Sequence, residues 1–219
     1  MVLLDAARRG EADIARGFLR AASSGKLCFS VAQVAHIVQE LGKREPTELH
    51  IECLEWLLVC VTEDPAGAAE VGFSPQRVYR ALLEAAAACC QPAKRLAGYI
   101  TAVARLKVLA DEEAQWFLDF AWRRGIASAE AASWNEAIPF FEGAASLLQR
   151  CDGAPEVDQA RVHAAIVQAL LHQARQVAES AEAHALRQKA LARAELARSA
   201  LRTRGFGEEV TAIAVDRLL

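Results

Sequence analysis

The sequence predicts an all-α fold, and three observations support that prediction. Apolar residues recur every three or four positions along most of the 219 residues, whereas alternating β-branched segments do not occur. Two helix starts can be identified. Ser30 stands three residues before Gln33, in the pattern of a capping box. Ser74 precedes Pro75, and proline is favoured at the first helical position. The acids at 111–113 also suit a helix N-terminus, where the helix dipole is positive.

Eleven predicted helices cover most of the chain. Each is separated from the next by a short connection, usually a cluster of Gly, Pro or Ser, as antiparallel neighbours in stacked hairpins require. No interdomain linker divides them, so we expect a single helical repeat domain, residues 1–219. In chain order the predicted helices are 2–9, 11–22, 31–43, 46–62, 75–90, 93–109, 112–131, 134–149, 156–180, 182–204 and 207–218.

Residues 116–148 carry the most specific pattern. Ala137, Phe141 and Ala144 follow the A-x3-F spacing of tetratricopeptide repeats, in which small residues let the two helices of a hairpin approach each other. Gly125 precedes Ala137 by twelve residues, at a place where two backbones would pass too closely for a β-carbon. An ordinary helical hairpin with aromatic packing is the alternative. The residues expected to pack this hairpin are Trp122, Gly125, Trp134, Ala137, Phe141 and Ala144.

The same small-large-small spacing recurs more weakly at residues 15–22 and, without the large member, at residues 190–197. The pattern favours a tetratricopeptide-like α-solenoid of about five stacked antiparallel hairpins, with a concave groove lined by the first helix of each. The short first helix, 2–9, and the apolar residues at 210–219 are unlike the polar end repeats that a stack needs. We therefore expect the chain to be a fragment of a longer array, or homologous to part of one.

Residues 116–125, Trp-Phe-Leu-Asp-Phe-Ala-Trp-Arg-Arg-Gly, and the Ala137 segment after them resemble a known family. It is the tetratricopeptide-like meiotic crossover scaffold family of the sporulation and synapsis-initiation (Spo/Zip) type, in its C-terminal part. Residues 50–58, His-Ile-Glu-Cys-Leu-Glu-Trp-Leu-Leu, resemble another stretch of that family. The chain departs from the family's pattern at the adjacent arginines and after residue 156. The resemblance implies a non-enzymatic scaffold that binds crossover-promoting proteins on chromosomes in the nucleus.

Composition and charge exclude several classes of protein. The formal net charge of -3 gives no global field that would attract nucleic acid or an anionic membrane. The longest apolar runs, 53–62 and 81–90, fall short of the roughly 20 residues of a membrane span. The six cysteines lie mostly in apolar helical patterns, and the start lacks the pattern of a signal peptide, so we expect reduced thiols. We predict a nuclear location if the meiotic resemblance holds, and a cytoplasmic one otherwise.

No constellation of residues predicts a catalytic, cofactor or metal site. His163 and His172 lie nine residues apart, which places them on nearly opposite faces of a helix. Cys89 and Cys90 are adjacent at a helix end, and we expect them to pack in the core. The helix dipole there disfavours a thiolate, which argues against a catalytic cysteine. The sequence lacks the phosphate-binding, hydrolase and zinc-protease motifs. We therefore predict no enzymatic activity, no cofactor and no metal.

Protein binding is the predicted function. The first helices of the hairpins would line the groove, so cations on those helices are the best candidates to contact a partner. At most one of the four tryptophans is expected to face that partner, although tryptophan is common in binding hot spots. A generic tetratricopeptide adaptor is one alternative to the meiotic scaffold. The candidate partner-binding residues are Arg105, Lys107, Arg123 and Arg124.

A basic segment, residues 187–204, supplies an alternative from another class, a helical protein associated with nucleic acid. Its cations spread around the predicted helix without interleaved aromatic residues, which favours a solvated outer face instead. An all-α enzyme with a scattered site is a third class, and a deep polar pocket would be its first support. The cations of the segment are Arg187, Lys189, Arg193, Arg198, Arg202 and Arg204.

Overall fold

The computed structural model describes residues 5–6, 12–23, 29–150, 156–177 and 180–203. Every regular element in these ranges is α-helical, so the all-α prediction is confirmed. The predicted helix 207–218 and most of the predicted helix 2–9 lie outside the described residues. The helices are α1 (Ala12–Ser23), α2 (Val31–Gly42), α3 (Glu48–Glu63), α4 (Pro65–Glu70), α5 (Pro75–Ala88), α6 (Ala93–Val103), α7 (Asp111–Glu130), α8 (Trp134–Leu148), α9 (Glu156–Gln176) and α10 (Ala181–Thr203).

Both predicted helix starts are confirmed. The Ser30 hydroxyl accepts a hydrogen bond from the backbone N–H of Gln33 at 3.3 Å, and the Gln33 side chain accepts one from the Ser30 N–H at 2.9 Å. Ser74 caps α5 in the same way, because its hydroxyl accepts from the backbone N–H of Arg77 at 3.4 Å, and Pro75 follows it. Such a cap contributes about 1 kcal/mol to the stability of a helix. Within the described helices, none is both long enough and apolar enough to cross a membrane.

Among the helices that the structure describes, α6 differs most from its predicted length. α6 ends at Val103, whereas the periodicity indicates a helix to residue 109. The guanidinium of Arg150 donates hydrogen bonds to the carbonyl oxygens of Ala104, at 2.9 Å, and Lys107, at 3.4 Å. These bonds satisfy backbone groups that would otherwise favour further helical turns. Arg105 and Lys107 therefore lie in the connection between α6 and α7, and their predicted placement on a helix is wrong.

A short helix, α4, is absent from the prediction. Asp64 begins it, because its carboxylate accepts a hydrogen bond from the backbone N–H of Gly67 at 3.0 Å, and Pro65 occupies the first turn. The helix spans only six residues, too few to show an apolar period in the sequence. Its start nevertheless uses the same combination of capping side chain and proline as α5.

The predicted burial of Cys90 is also wrong. α5 ends at Ala88, and Cys90 is exposed with a positive φ of 51°, while Cys89 is half-buried. The N–H of Gln91 donates to the carbonyl of Ala86 at 2.9 Å, which closes a helix end of the Schellman type. Because this turn needs a left-handed residue, it directs Cys90 away from the core.

The chain divides into two compact units, residues 1–99 and residues 100–219, and each is described by itself. The expectation of a single repeat domain stays a prediction. Unit 1 is arranged around α3, which contacts α1, α2, α4 and α5. Ile51, Leu54 and Leu57 of α3 are completely buried, and each contributes about 1.5–3 kcal/mol of hydrophobic stabilisation.

In the described part of unit 2, consecutive helices pack against each other, α7 on α8, α8 on α9 and α9 on α10. α7 and α8 run antiparallel, because Gly125 meets Phe141 while Leu118 and Leu148 line one small cavity further along the pair. The buried face of α10 consists largely of alanine, which lets it approach α9 closely. These alanines are Ala183, Ala190, Ala194, Ala197 and Ala200.

Candidate functional site

The hairpin of α7 and α8 positions the candidate site. A β-carbon at Gly125 would lie 2.5 Å from Cε1 of Phe141, so the glycine is what allows the phenyl ring to fit between the two helices. The Trp122 ring packs against the same phenyl ring, with 5.4 Å between centroids. Ala137 and Ala144 are completely buried on either side of Phe141. This packing fixes the rotation of α7 about its own axis, and it decides which residues point outward.

Trp134 makes its ring contact outside this hairpin. Its indole stacks on the imidazole of His172 in α9, with 4.2 Å between centroids and 8° between ring planes. Such a stacked pair stabilises helix packing by about 0.5–1.5 kcal/mol beyond the area it buries. His163, nine residues earlier on α9, lies near Arg193 of α10, whose charge lowers the histidine pKa after the larger effect of burial. The two histidines therefore face different neighbours.

The outward face of α7 carries a ladder of three side chains, each four residues from the next, that we call the α7 ladder: Trp116, Phe120 and Arg124. The Trp116 and Phe120 rings stack with 5.5 Å between centroids and 24° between planes. The Arg124 guanidinium carbon lies 5.6 Å from the centroid of the Phe120 ring, a cation–π contact. The Trp116 ring also meets the buried Phe117 edge-on at 5.1 Å, which ties the ladder to the core. All three ladder side chains are half-buried.

A groove of about 480 Å³ lies on this face, within the range of sites that hold small ligands or anchoring side chains. We call it the α7 groove. Asp119 accepts a hydrogen bond from Nε2 of Gln115 at 3.0 Å, so part of its acceptor capacity is occupied. Arg123 is exposed and forms no ion pair with any of the residues that the structure describes. The described lining of the groove consists of Trp116, Asp119, Phe120, Arg123, Arg124 and Ala127.

The structure brings together two of the four cations predicted to contact a partner. Arg123 and Arg124 both line the α7 groove. Arg105 and Lys107 are exposed on the connection before α7, and the described lining does not include them. The prediction missed Phe120 and Asp119 and did not single out Trp116 as the outward-facing tryptophan. The four-residue steps from Trp116 to Phe120, from Phe120 to Arg124 and from Asp119 to Arg123 are visible in the sequence, and residues four apart share a helix face.

The basic segment on α10 does not present a continuous cationic stripe. Arg193 is paired with Glu142 of α8 at 3.5 Å, and Arg198 with Glu195 at 3.4 Å. Both arginines are half-buried, whereas Arg187 and Lys189 are exposed. The predicted member at position 204 lies outside the described residues. Nucleic acid would have to compete with these carboxylates for two of the segment's cations.

Three of the described thiols, those of Cys53, Cys60 and Cys89, have environments that oppose nucleophilic chemistry. Burial, followed by the charge of Glu52, raises the pKa of Cys53 to about 12. Burial also raises the pKa of Cys60 and of Cys89, and acidic neighbours add to each shift. A reactive cysteine needs a lowered pKa. Among the residues that the structure describes, no group of His, Cys, Asp and Glu side chains has an arrangement that could hold a metal ion.

Unit 1 holds a polar network of a different kind. Arg95 of α6 donates to Glu48 of α3 at 2.5 Å and to Glu55 at 3.1 Å, and its Nε donates to the Tyr99 hydroxyl at 2.9 Å. That hydroxyl donates in turn to Glu55 at 2.5 Å. Burial and then the Glu55 carboxylate raise the pKa of Tyr99, so the phenol stays protonated as a donor. Every polar group named here has a partner, and the network connects α3 to α6. We call these four residues, Glu48, Glu55, Arg95 and Tyr99, the clasp of unit 1.

Comparison of the chain with protein-family models, curated proteins and solved structures finds no match.

Proposed function

We propose that the protein is a non-enzymatic protein-binding module and that a segment of a partner protein binds in the α7 groove. The observation that carries this proposal is the α7 ladder, in which Trp116, Phe120 and Arg124 are stacked on the outward face of a helix. Tryptophan and arginine are the residues most enriched in binding hot spots, and their low mobility in a stack reduces the entropy lost on binding.

The module is, in this proposal, a tetratricopeptide-like solenoid. Support comes from the antiparallel hairpin of α7 and α8, from the packing of α8 on α9 and of α9 on α10 in chain order, and from the close approach at Gly125. Repeats of this kind stack helical hairpins and bind partners on an extended surface. The raised thiol pKa values are consistent with a role that involves no cysteine nucleophile.

We further propose that the partners are crossover-promoting proteins of meiotic chromosomes, as the family resemblance of residues 116–125 suggests. A nuclear location belongs to this proposal, and a generic tetratricopeptide adaptor in the cytoplasm is its alternative.

Affinity purification tests the function and the partner class together. The bait is the full chain, with Phe120→Ala plus Arg124→Ala as the groove variant. The control variant, Ile14→Ala plus Val59→Ala, truncates exposed apolar side chains on unit 1. We expect the wild-type chain and the control to recover the same proteins from dividing germline cells, and the groove variant to lose them.

The identity of the recovered proteins then decides the biological role. Enrichment of crossover factors from germline over vegetative cells supports the meiotic scaffold. Recovery of chaperones or transport adaptors from both sources would move the assignment to a generic adaptor. If the folded groove variant recovers every partner as well as the wild-type chain does, the α7 groove is not the binding site.

A further inference from the structure

We infer that the α7 groove selects a short acidic segment that carries an aromatic or aliphatic residue two to four positions from a carboxylate. This inference deepens the proposed function and rests on it. The groove combines an apolar surface, formed by Trp116 and Phe120, with two arginines. The positive charge of these arginines favours an anionic group in the ligand.

The Arg124 side chain is oriented to bind a carboxylate. Its guanidinium is held over the Phe120 ring, so it is already oriented before a partner arrives. A stacked guanidinium retains its N–H donors at the edge of the plane, where they match the two oxygens of a carboxylate. Arg123 is exposed one residue earlier, and no described carboxylate pairs with it. The groove therefore offers two cations in one place.

The distribution of charge along α7 gives the groove a direction. Its first turn carries Asp111, Glu112 and Glu113, Asp119 lies within the groove, and the arginines follow Asp119 by one turn. A partner can place negative charge only at the arginine end without meeting these acids. The apolar side chain of the partner then lies against Trp116 and Phe120, toward the acidic end.

The same distribution argues against nucleic acid as the occupant. A phosphate backbone that followed the helix from Arg124 would pass Asp119 and then the three acids of the first turn, and like charges at these distances repel. Phe120, in addition, lies between Trp116 and Arg124 in the ladder, so both faces of its ring are covered and a base, which binds by stacking on a ring face, cannot stack there. An apolar side chain of a peptide can still contact the edge of this ring. A short peptide with localised charge avoids both conflicts.

Helix geometry sets the spacing that the partner needs. Residues 116 and 124 are separated by eight positions, about 12 Å at 1.5 Å per residue, and residues 120 and 124 by about 6 Å. An extended peptide advances about 3.3 Å per residue, so its apolar anchor and its carboxylate must lie about two to four residues apart. If peptides are selected for binding to the groove, their sequences should show this spacing between the apolar residue and the acid.

Selection from a library of random dodecapeptides displayed on phage tests the inference, with the full chain as the immobilised target. We expect the selected peptides to be enriched in Asp or Glu two to four positions from an aromatic or aliphatic residue. Fluorescence anisotropy with one such peptide should show at least a tenfold weaker affinity for Arg123→Glu plus Arg124→Glu. The matched control, Lys94→Glu plus Lys189→Glu, reverses two exposed charges elsewhere and should change the affinity less than twofold.

Two further binding measurements test whether the arginines recognise the acids of the peptide. Replacing the acids of the peptide by Lys should abolish binding to the wild-type chain and restore at least part of the binding to the charge-reversed variant. Arg124→Lys keeps the charge and loses the planar fork, so it should bind with intermediate affinity. Circular dichroism of each variant checks that its helices are intact.

The outcomes separate this inference from the proposed function. Selected peptides that lack acids, but whose binding Phe120→Ala abolishes, would overturn the acidic specificity and leave the protein-binding groove standing. Peptides that bind all folded variants equally would overturn both. Binding of a twelve-nucleotide oligothymidylate that competes with the peptide and is lost in the charge-reversed variant would reassign the groove to single-stranded nucleic acid.

Discussion

The two compact units hold their helices together by different means. In unit 1, a half-buried polar network centred on Arg95 connects α6 to α3. In unit 2, the Phe141 ring of α8 packs against Gly125 of α7. The polar clasp depends on geometry and charge, and its net contribution is modest because the groups lose hydration when they pair. The apolar contact depends on volume, and it tolerates almost no added atom.

This difference bears on function, because the candidate site is built on the apolar contact. The orientation of α7 follows from the Gly125 and Phe141 packing, so a change there should disturb both stability and binding. A change in the clasp of unit 1 should affect stability alone.

The largest expected effect is at Gly125. A Val at this position would place its β-carbon 2.5 Å from the Phe141 ring, and the crowding should lower the free energy of unfolding by about 2–3 kcal/mol. Urea unfolding measures the loss. Phe141→Leu in the same chain should recover part of it, since the smaller side chain makes room, and a double-mutant cycle gives the coupling.

Gly98 provides the matched control for Gly125. It is also helical, but apart from its chain neighbours and the backbone of its own helix, no described atom lies within 4 Å of a β-carbon built there. Gly98→Ala should therefore raise stability by up to about 1 kcal/mol through helix propensity. A loss of stability at Gly98 as large as that at Gly125 would show that the helix backbone, and not the Phe141 contact, limits substitution.

Acid should weaken both units through one histidine in each, buried His50 and half-buried His163. Burial lowers the pKa of His50 in unit 1, and burial together with Arg193 lowers that of His163 in unit 2. A histidine with a lowered folded pKa is neutral in the fold, so its stabilisation is complete above the ordinary pKa of 6.5 and is lost as the pH falls below it. Each histidine should add a slope of at most about 1.4 kcal/mol per pH unit to the stability curve.

Substitutions assign this pH dependence to its source. The Nδ1 atom of His50 is buried without a hydrogen-bond partner among the described residues, so His50→Leu should remove one contribution to the slope with little loss of stability at pH 8. His36→Leu, which changes an exposed histidine of the neighbouring helix α2, is the control. Urea unfolding between pH 5 and 8 measures both variants. An unaltered slope in the His50 variant would contradict the assignment.

A smaller effect is expected at the clasp of unit 1. Arg95→Met should lower stability by about 1 kcal/mol, because it removes the ion pairs to Glu48 and Glu55 while it keeps the aliphatic stem. The difference from wild type should shrink in 1 M salt, where exposed charges are screened. Lys94→Met, at the exposed neighbouring position, is the control. Peptide binding at the α7 groove should be unaffected, which would distinguish this region from Gly125.

Local sequence signals predicted the parts of the fold that depend on nearby residues. The capping box at Ser30, the Ser74–Pro75 start and the period of the long helices are properties of a few consecutive residues. The end of α6 could not be predicted in this way, because it depends on Arg150, 46 residues beyond Ala104. The Arg95 network has the same character, with partners up to 47 residues away.

The candidate site was predictable to the same limited extent. Arg123 and Arg124 were recognisable as cations on the first helix of a hairpin. The outward direction of Trp116 and Phe120 was not, because it depends on which face of α7 the Phe141 ring occupies. Four-residue spacing shows that residues share a face, but only packing decides whether that face is core or surface.

The smallest expected effect concerns the helix ends, and it compares the units once more. Cys90 in unit 1 and Ala132 in unit 2 have positive φ angles of 51° and 57°, in turns that normally take glycine. Cys90→Gly and Ala132→Gly should each raise stability by about 0.5–1 kcal/mol, since relief of the left-handed strain exceeds the added chain entropy. Gly72, at φ 76°, is the reverse control, and Gly72→Ala should lower stability by about 1 kcal/mol.

The Ala132 variant also tests how the hairpin is held. Residue 132 lies between α7 and α8, and the N–H of Ser133 donates to the carbonyl of Ser128 at 2.9 Å across the turn. If the Phe141 contact sets the orientation of α7, a relaxed turn should leave peptide affinity at the groove within twofold of wild type while thermal stability rises. A loss of affinity without a loss of stability would instead show that the turn orients α7, and that the apolar contact only stabilises it.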